Sequence, residues 1–285
     1  MPASIGSRRG GSSARSASRL REHHTMPETD VTPSMRIDFD ASAPVATLTL
    51  CRSPMNAIDD AMLDALAGAL EAVTAHAAIT VLHLRSNQRV FCAGADLRMV
   101  AERVGSAAGA AAMAETVCRF HRVYDTLAAL PVVTIAEING AALGGGLELA
   151  LACDLRIAGH ASKLGLPEAR VGLLPGAGGT QRLTRLCGPG VAARLILTGE
   201  AVDGREAERI GLVQWAAPDG EVADLAAGIA TRAAGLSAEA VRTAKQCIGI
   251  AARLDPAGVR AEVEGITALM LEASTRQRVT DFLRK

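Results

Sequence analysis

Between Val132 and Arg156 the chain reads V-V-T-I-A-E-I-N-G-A-A-L-G-G-G-L-E-L-A-L-A-C-D-L-R. β-Branched residues open this stretch, Asn139-Gly140 breaks it, and three glycines, Gly144 to Gly146, lead into Leu147-Glu148-Leu149-Ala150-Leu151-Ala152-Cys153. The pattern predicts a strand, a tight turn and a helix starting near Leu147. A helix that is apolar on every side has no solvent face and belongs inside the protein. Glu148 is its one charge, and no Lys or Arg lies within a helical turn of it. Burying a carboxylate without a partner costs several kcal/mol or drives its pKa upward. The glycines supply a reason to bear that cost. Residues without a Cβ let a substrate reach backbone N–H groups at a helix start, where the dipole favours negative charge. One reading is therefore an oxyanion site beside a general acid or base. The other is a turn that lets helices pack closely, with Glu148 bonded to an Arg or a backbone amide from elsewhere.

With 285 residues, 49% of them hydrophobic, the chain can bury a sizeable core in one or two domains. Thirty basic and thirty acidic residues cancel, leaving no global field to draw in nucleic acid or an anionic membrane. No run approaches the roughly 18 apolar residues that would span a bilayer. The six cysteines (Cys51, Cys92, Cys118, Cys153, Cys187 and Cys247) show no C-x-x-C spacing, which suits reduced core thiols in a cytosol-like compartment. The six histidines contain no H-E-x-x-H pair, so no metal site is expected.

Residues 1–34 stand apart. Arg8, Arg9, Arg15, Arg19 and Arg21 lie among serines, glycines and alanines, with no acid before Glu22, a composition expected to be disordered. It reads either as an organelle transit peptide, placing the protein in an organelle matrix, or as a translated extension upstream of a true start at Met26, leaving it cytoplasmic. From Met35, M-R-I-D-F-D and V-A-T-L-T-L alternate as a β-hairpin does around Ser42-Ala43-Pro44. Asp59 or Asp60 caps a helix through about Ala77, Ile79 to Leu84 is a strand, and Val100 to Leu130 is helical with a break around Gly105 and Gly109. After the central helix, Asp154 to Ala158 is a strand, and Pro167-Glu168 opens a short helix, a position where a carboxylate is favoured for purely local reasons. Gly176, Gly178 and Gly179 suggest a phosphate cradle but fit neither G-x-G-x-x-G nor G-x-x-x-x-G-K-[ST]. Helices then dominate: Val191 to Leu197, Gly204 to Ile210, Val222 to Gly235, Ala238 to Leu254 and Ala257 to Phe282, with a strand at Val213 to Ala216. The expected division is an α/β core over residues 35–221 and a helical region over 222–285, whose surplus apolar positions suit subunit contacts.

Four ordered motifs carry a resemblance: F-C-A-G-A-D-L (Phe91 to Leu97), N-G-A-A-L-G-G-G-L-E-L (Asn139 to Leu149), P-E-A-R-V-G-L-L-P-G-A-G-G-T-Q-R-L (Pro167 to Leu183), and L-T-G-E-A-V-D-G-R-E-A followed by G-L-V (Leu197 to Val213). Together they resemble the crotonase superfamily, the enoyl-CoA hydratases and isomerases, from about Met35 to the C-terminus. The resemblance implies a crotonase-like β-β-α superhelix core and a helical C-terminal oligomerisation region, assembled as a homotrimer or a dimer of trimers. It implies an acyl-CoA substrate, with coenzyme A part of that substrate and no other cofactor. Two backbone N–H groups, by motif those of Ala95 and Gly145, would hold the thioester oxygen. Withdrawing electrons there makes C3 of a conjugated enoyl group electrophilic and stabilises the enolate that forms.

By the same resemblance Glu148 deprotonates the water that adds at C3, and Glu168 exchanges a proton with C2. Two carboxylates can divide this work when their surroundings separate their protonation states. The CoA moiety would lie along Ala93, Asp96, Leu97, Arg98 and Gly144, with Lys285 reaching its phosphates. Arg52 is a further candidate, in a turn one residue shorter than the family's R-P-x-x-x-N-A. The implied activity is reversible syn hydration of a trans-2-enoyl-CoA to a 3-hydroxyacyl-CoA. Alternatives are an isomerase that shuttles a proton with one carboxylate, a non-catalytic acyl-CoA-binding subunit, an RNA-binding relative, poorly supported by balanced charge and few aromatics, and a glycosidase using the two glutamates.

Overall fold

The computed structural model describes residues 34–40, 42–251 and 256–284. The expectations for residues 1–33, and for Lys285, lie outside that range. In chain order the elements are β1 (Met35–Phe39), β2 (Val45–Leu50), α1 (Asp60–Ala75), β3 (Val81–Ser86), α2 (Leu97–Arg103), α3 (Ala107–Ala129), β4 (Val133–Ile138), β5 (Ala142–Leu143), α4 (Gly145–Leu151), β6 (Leu155–Gly159) and β7 (Lys163–Gly165). A 3-10 turn at Glu168–Val171 follows, then α5 (Gly179–Thr198), β8 (Ala201–Asp203), α6 (Gly204–Arg209), β9 (Trp215–Ala217), α7 (Val222–Ala234), α8 (Ala238–Ala251), α9 (Pro256–Leu269) and α10 (Ala273–Leu283).

Six strands form one sheet in the order β1-β2-β3-β4-β6-β9. Only the β1–β2 hairpin is antiparallel, with Met35 opposite Leu50; the remaining neighbours are parallel. A parallel sheet needs cover on both faces, and period-two alternation supplies two apolar faces. Val81, Ile135 and Ile157 meet Val222, Ala226, Ile229 and Ala230 of α7 on one side. On the other, Leu48, Leu50, Leu82, Leu84, Ala136 and Ile138 join the main core with Leu63, Leu66 and Leu70 of α1, Phe120, Tyr124 and Leu127 of α3, and Leu147 and Leu149 of α4. As expected, α4 is buried along its whole length.

Asp59 caps α1 through the Met62 N–H, and Asp96 caps α2 through the Arg98 N–H, both in the usual manner of an N-cap aspartate. Three short strands escape the sequence reading. β5, β7 and β8 form a second sheet whose members, two or three residues long, show no periodicity to read. α5 also starts well before the Val191 expected of it, at Gly179, and bends at Gly188-Pro189. The single helix expected from Ala257 to Phe282 is two. At the break the Met270 carbonyl leaves the helix ladder to accept from Gly105 N–H at 2.8 Å, and Thr275 Oγ1 donates to the Gly172 carbonyl at 3.0 Å. The break carries no Gly or Pro; it lets α10 turn back onto α2 and the turn after Glu168.

Candidate active site

The site forms where three separated stretches meet. Residues 92–96 run between two others, bridged by the pairs Ile58 with Ala95 and Cys92 with Ala142. Cys92 N–H donates to the Ala141 carbonyl and Leu143 N–H to the Cys92 carbonyl, both at 3.0 Å. Ala93 N–H donates to the Met55 carbonyl and Ile58 N–H to that of Gly94. These bonds press the Gly94-Ala95 backbone onto Gly144-Gly145. A Cβ on Gly145 would stand 3.4 Å from the Ala95 nitrogen, and one on Gly94 only 3.0 Å from the Gly145 nitrogen. Among the described residues neither the Ala95 nor the Gly145 N–H donates to any protein group. The second is an orphan by position, since the first N–H groups of a helix have no intrahelical acceptor. The two amides expected to share an oxyanion thus lie side by side on touching backbone.

Gly144 connects them to the second acid. Its φ of +51° is a conformation side chains avoid, and a Cβ there would strike Glu168 Oε1 at 2.9 Å. The Glu168 carboxylate therefore rests on the backbone next to Gly145. Glu148, in α4 and 2% exposed, faces the loop before α5: its Oε1 accepts from Ala177 N–H at 2.8 Å and Gly179 N–H at 2.7 Å. Backbone amides from a distant segment, one of the partners allowed by the packing interpretation, do hold this carboxylate. Neutral donors at the start of α5 favour its charged form while keeping it in the interior. The glycines at 176–179, which resembled a phosphate cradle, serve this contact.

Two residues that sequence reasoning missed hold these parts. Tyr124, the chain's one tyrosine and wholly buried on α3, donates its hydroxyl to the Gly145 carbonyl at 2.9 Å. Burial, with the Cys92 and Glu148 charges adding to it, raises the phenol well above its usual 10, so it stays a donor. Arg182 in the first turn of α5 donates to the Ala177 carbonyl at 2.9 Å. A lone buried tyrosine was a legible signal; the arginine, in a run of polar residues, was not. Cys92 also lies against the site. Burial, against a weaker opposing bond from Gly94 N–H, pushes its thiol up to about 12, leaving it no nucleophile near neutral pH.

The residues expected along the CoA moiety divide. Ala93 and Gly144 contribute backbone beside the amides, and Leu97 packs against the apolar cluster of Val100, Met113, Val117, Leu173, Ile266 and Met270. Arg98 is exposed. The Asp96 side chain is committed to capping α2 and to Arg52 at 2.9 Å. Arg52 also pairs with Asp59 at 2.8 Å and donates to the Ala57 carbonyl, so its guanidinium ties together the starts of α1 and α2. Among the described residues no three His, Cys, Asp or Glu side chains converge as metal ligands, and no helix is long and apolar enough to cross a membrane.

A family model described as enoyl-CoA hydratase/isomerase matches residues 40–285. The 2,3-dehydroadipyl-CoA hydratase of Escherichia coli is 36% identical over 243 residues, covering 85% of this chain and 92% of that protein. The mitochondrial methylglutaconyl-CoA hydratase of Mus musculus is 40% identical over 172 residues, 60% of this chain and about half (53%) of that protein. Among solved structures, Pseudomonas aeruginosa DspI matches with a TM-score of 0.72 and 38% identity, over 90% of this chain and 97% of that one.

Proposed function

Because this chain belongs to the enoyl-CoA hydratase/isomerase family, we propose that it is a hydro-lyase that adds water reversibly and syn across the double bond of a trans-2-enoyl-CoA, giving a 3-hydroxyacyl-CoA. The observation that carries this reading is the contact of Gly94-Ala95 with Gly144-Gly145, flanked by Glu168 on Gly144 and Glu148 in the same short helix. Relatives named as hydratases support it.

In the proposed reaction the thioester oxygen lies between the Ala95 and Gly145 N–H groups. Glu148 takes a proton from water as the water oxygen bonds C3. The C2–C3 π pair moves toward C1, and the carbonyl pair moves onto the oxygen held by the amides. Glu168, carrying a proton at that moment, delivers it to C2 and the carbonyl re-forms. The water's oxygen and one hydrogen end on C3, its other proton on Glu148, and C2 keeps the proton from Glu168; passing the Glu148 proton on to Glu168, directly or through solvent, restores both acids, and the reverse path eliminates water. Amides already aimed at the oxygen need no reorganisation, and removing one such donor costs roughly 10² to 10³ in rate. The CoA moiety supplies binding, and the thioester C–S bond stays intact throughout, so no separate cofactor enters the scheme. The exposed Ile248 and Phe282 on the C-terminal helices, with Leu236 and Leu271 in the connections between them, support assembly into trimers or pairs of trimers, which light scattering measures directly.

The test is purified protein with crotonyl-CoA and longer enoyl-CoAs, following loss of the conjugated-thioester absorbance, beside Glu148→Gln and Glu168→Gln. Each substitution is expected to lower kcat by roughly 10² to 10⁴. Full activity in either variant removes that residue from the scheme. Migration of the double bond without hydration replaces the hydratase with an isomerase, and binding without turnover with a non-catalytic subunit.

A further inference from the structure

Glu148 is held by a loop, and Arg182 holds that loop in turn. Three consecutive peptide units are involved. The 176–177 unit donates its N–H to Glu148 Oε1, and the 178–179 unit does the same. Between them, the 177–178 unit turns its carbonyl away, toward Arg182 Nη1 at 2.9 Å. The backbone N–H of Arg182 takes the Gly178 carbonyl at 2.8 Å, so the 178–179 unit is fixed along both edges. Gly178 has φ +96°, and a Cβ there would stand 2.1 Å from Arg182 Nη1, leaving the guanidinium lying on the loop itself. Its other end, Nη2, is anchored 2.5 Å from Asp125 Oδ1 on α3. The Arg182 side chain is 9% exposed and that of Asp125 51%.

We propose that Arg182 is a positioning residue for Glu148: by holding the 177–178 carbonyl, it keeps the Ala177 and Gly179 N–H groups converged on one carboxylate oxygen. This rests on the hydratase reading for its effect on rate, but not for its effect on the loop. The carboxylate contact belongs to backbone that would otherwise be a glycine-rich turn, where conformational freedom is greatest. A rigid planar fork with two acceptors on different elements suits the task in a way a flexible ammonium does not. Asp125, mostly in water, acts as an outer stay whose loss leaves the Ala177 bond in place.

The test compares wild type with Arg182→Ala, Arg182→Lys and Asp125→Asn. The expected result for Arg182→Ala is a fall in kcat of about 10² with KM changed less than about threefold, because misplacing a catalytic group by an ångström costs on that order. Arg182→Lys is expected to recover part of the loss, and Asp125→Asn to stay within about threefold of wild type. The acid limb of the kcat/KM profile is expected to move to higher pH in Arg182→Ala, as donors to the charged carboxylate loosen. Backbone amide exchange, which needs no turnover, is expected to accelerate at Ala177 and Gly179 at least tenfold more than along the rest of α5 and α3. Exchange that is unchanged at those two amides, or that rises equally across both helices, overturns the proposal whether or not the protein hydrates enoyl-CoA. Wild type inactive on every enoyl-CoA, with selective exchange still seen, overturns the hydratase reading alone.

Discussion

Tyr124 donates its hydroxyl to the carbonyl of Gly145 across 2.9 Å, from a ring with no exposed surface. The bond fixes the peptide that follows the Gly145 N–H, and so the direction in which α4 leaves that amide. Tyr124→Phe keeps the ring and removes the donor. Leaving a buried carbonyl without its partner costs about 1 to 3 kcal/mol. The expected outcome is a loss of stability in that range by urea unfolding, together with a lower kcat. Unaltered stability and kcat would show that the peptide is held by its other contacts.

Gly145→Ala is a sharper probe of the paired amides. The added methyl meets the Ala95 nitrogen at 3.4 Å and nothing nearer, an ordinary contact distance, so folding is expected to change little. Beside the Ala95 nitrogen it would crowd an oxygen bound to both N–H groups in the proposed scheme. A fall of about 10² or more in kcat/KM with a melting temperature near that of wild type is the expected pattern. An active Gly145→Ala enzyme places the substrate oxygen elsewhere.

Arg156 is a structural charge. It is 3% exposed, and its guanidinium donates to the carbonyls of Cys153 at 2.6 Å, Leu212 at 2.9 Å and Ala150 at 3.3 Å, with Gln214 Oε1 at 3.1 Å. Burial lowers its pKa, yet an arginine starts high enough to remain charged. Arg156→Met is expected to destabilise by about 3 kcal/mol or more, since several carbonyls lose their donor at once. Equilibrium unfolding checks this, and a change under about 1 kcal/mol would contradict it.

Stability at low pH should report Asp60. Burial raises its carboxyl, but bonds and charge from Arg103, with Thr116 and Arg119 adding to them, outweigh that and hold it below its usual 3.8. A depressed folded pKa gives stability that is present above 3.8 and is lost as pH falls through the folded value. Asp60→Asn is therefore expected to be less stable than wild type near neutral pH, with the difference vanishing in strongly acid solution. Denaturant midpoints measured across that range decide it; a difference independent of pH would rule out the ionised carboxylate as the cause.

The parts of the candidate site that were legible are written locally. A lone acid in an apolar helix marked Glu148, three glycines marked the backbone approach beside it, and Asp59 announced the start of α1. What escaped depends on distant partners. α5 begins at Gly179 because Glu148, thirty-one positions earlier, takes that N–H, and nothing within 176–187 says so. The break at Met270 answers to Gly105, and the strands β5, β7 and β8 exist only as a set. Arg52, the weaker of the cation candidates because its turn is one residue short, pairs in the fold with Asp59 and Asp96, partners that no local pattern announces.

The Ala95 and Gly145 amides belong to the main chain, and that has an evolutionary consequence. Any residue except proline at position 95 carries the same N–H, so drift in side-chain identity there would leave the electrophilic half of the proposed chemistry intact. The two carboxylates have no such protection. If the proposed scheme holds, a descendant of this chain could exchange one reaction of an enolate for another by replacing an acid at 148 or 168, while inheriting the means of stabilising the enolate unchanged.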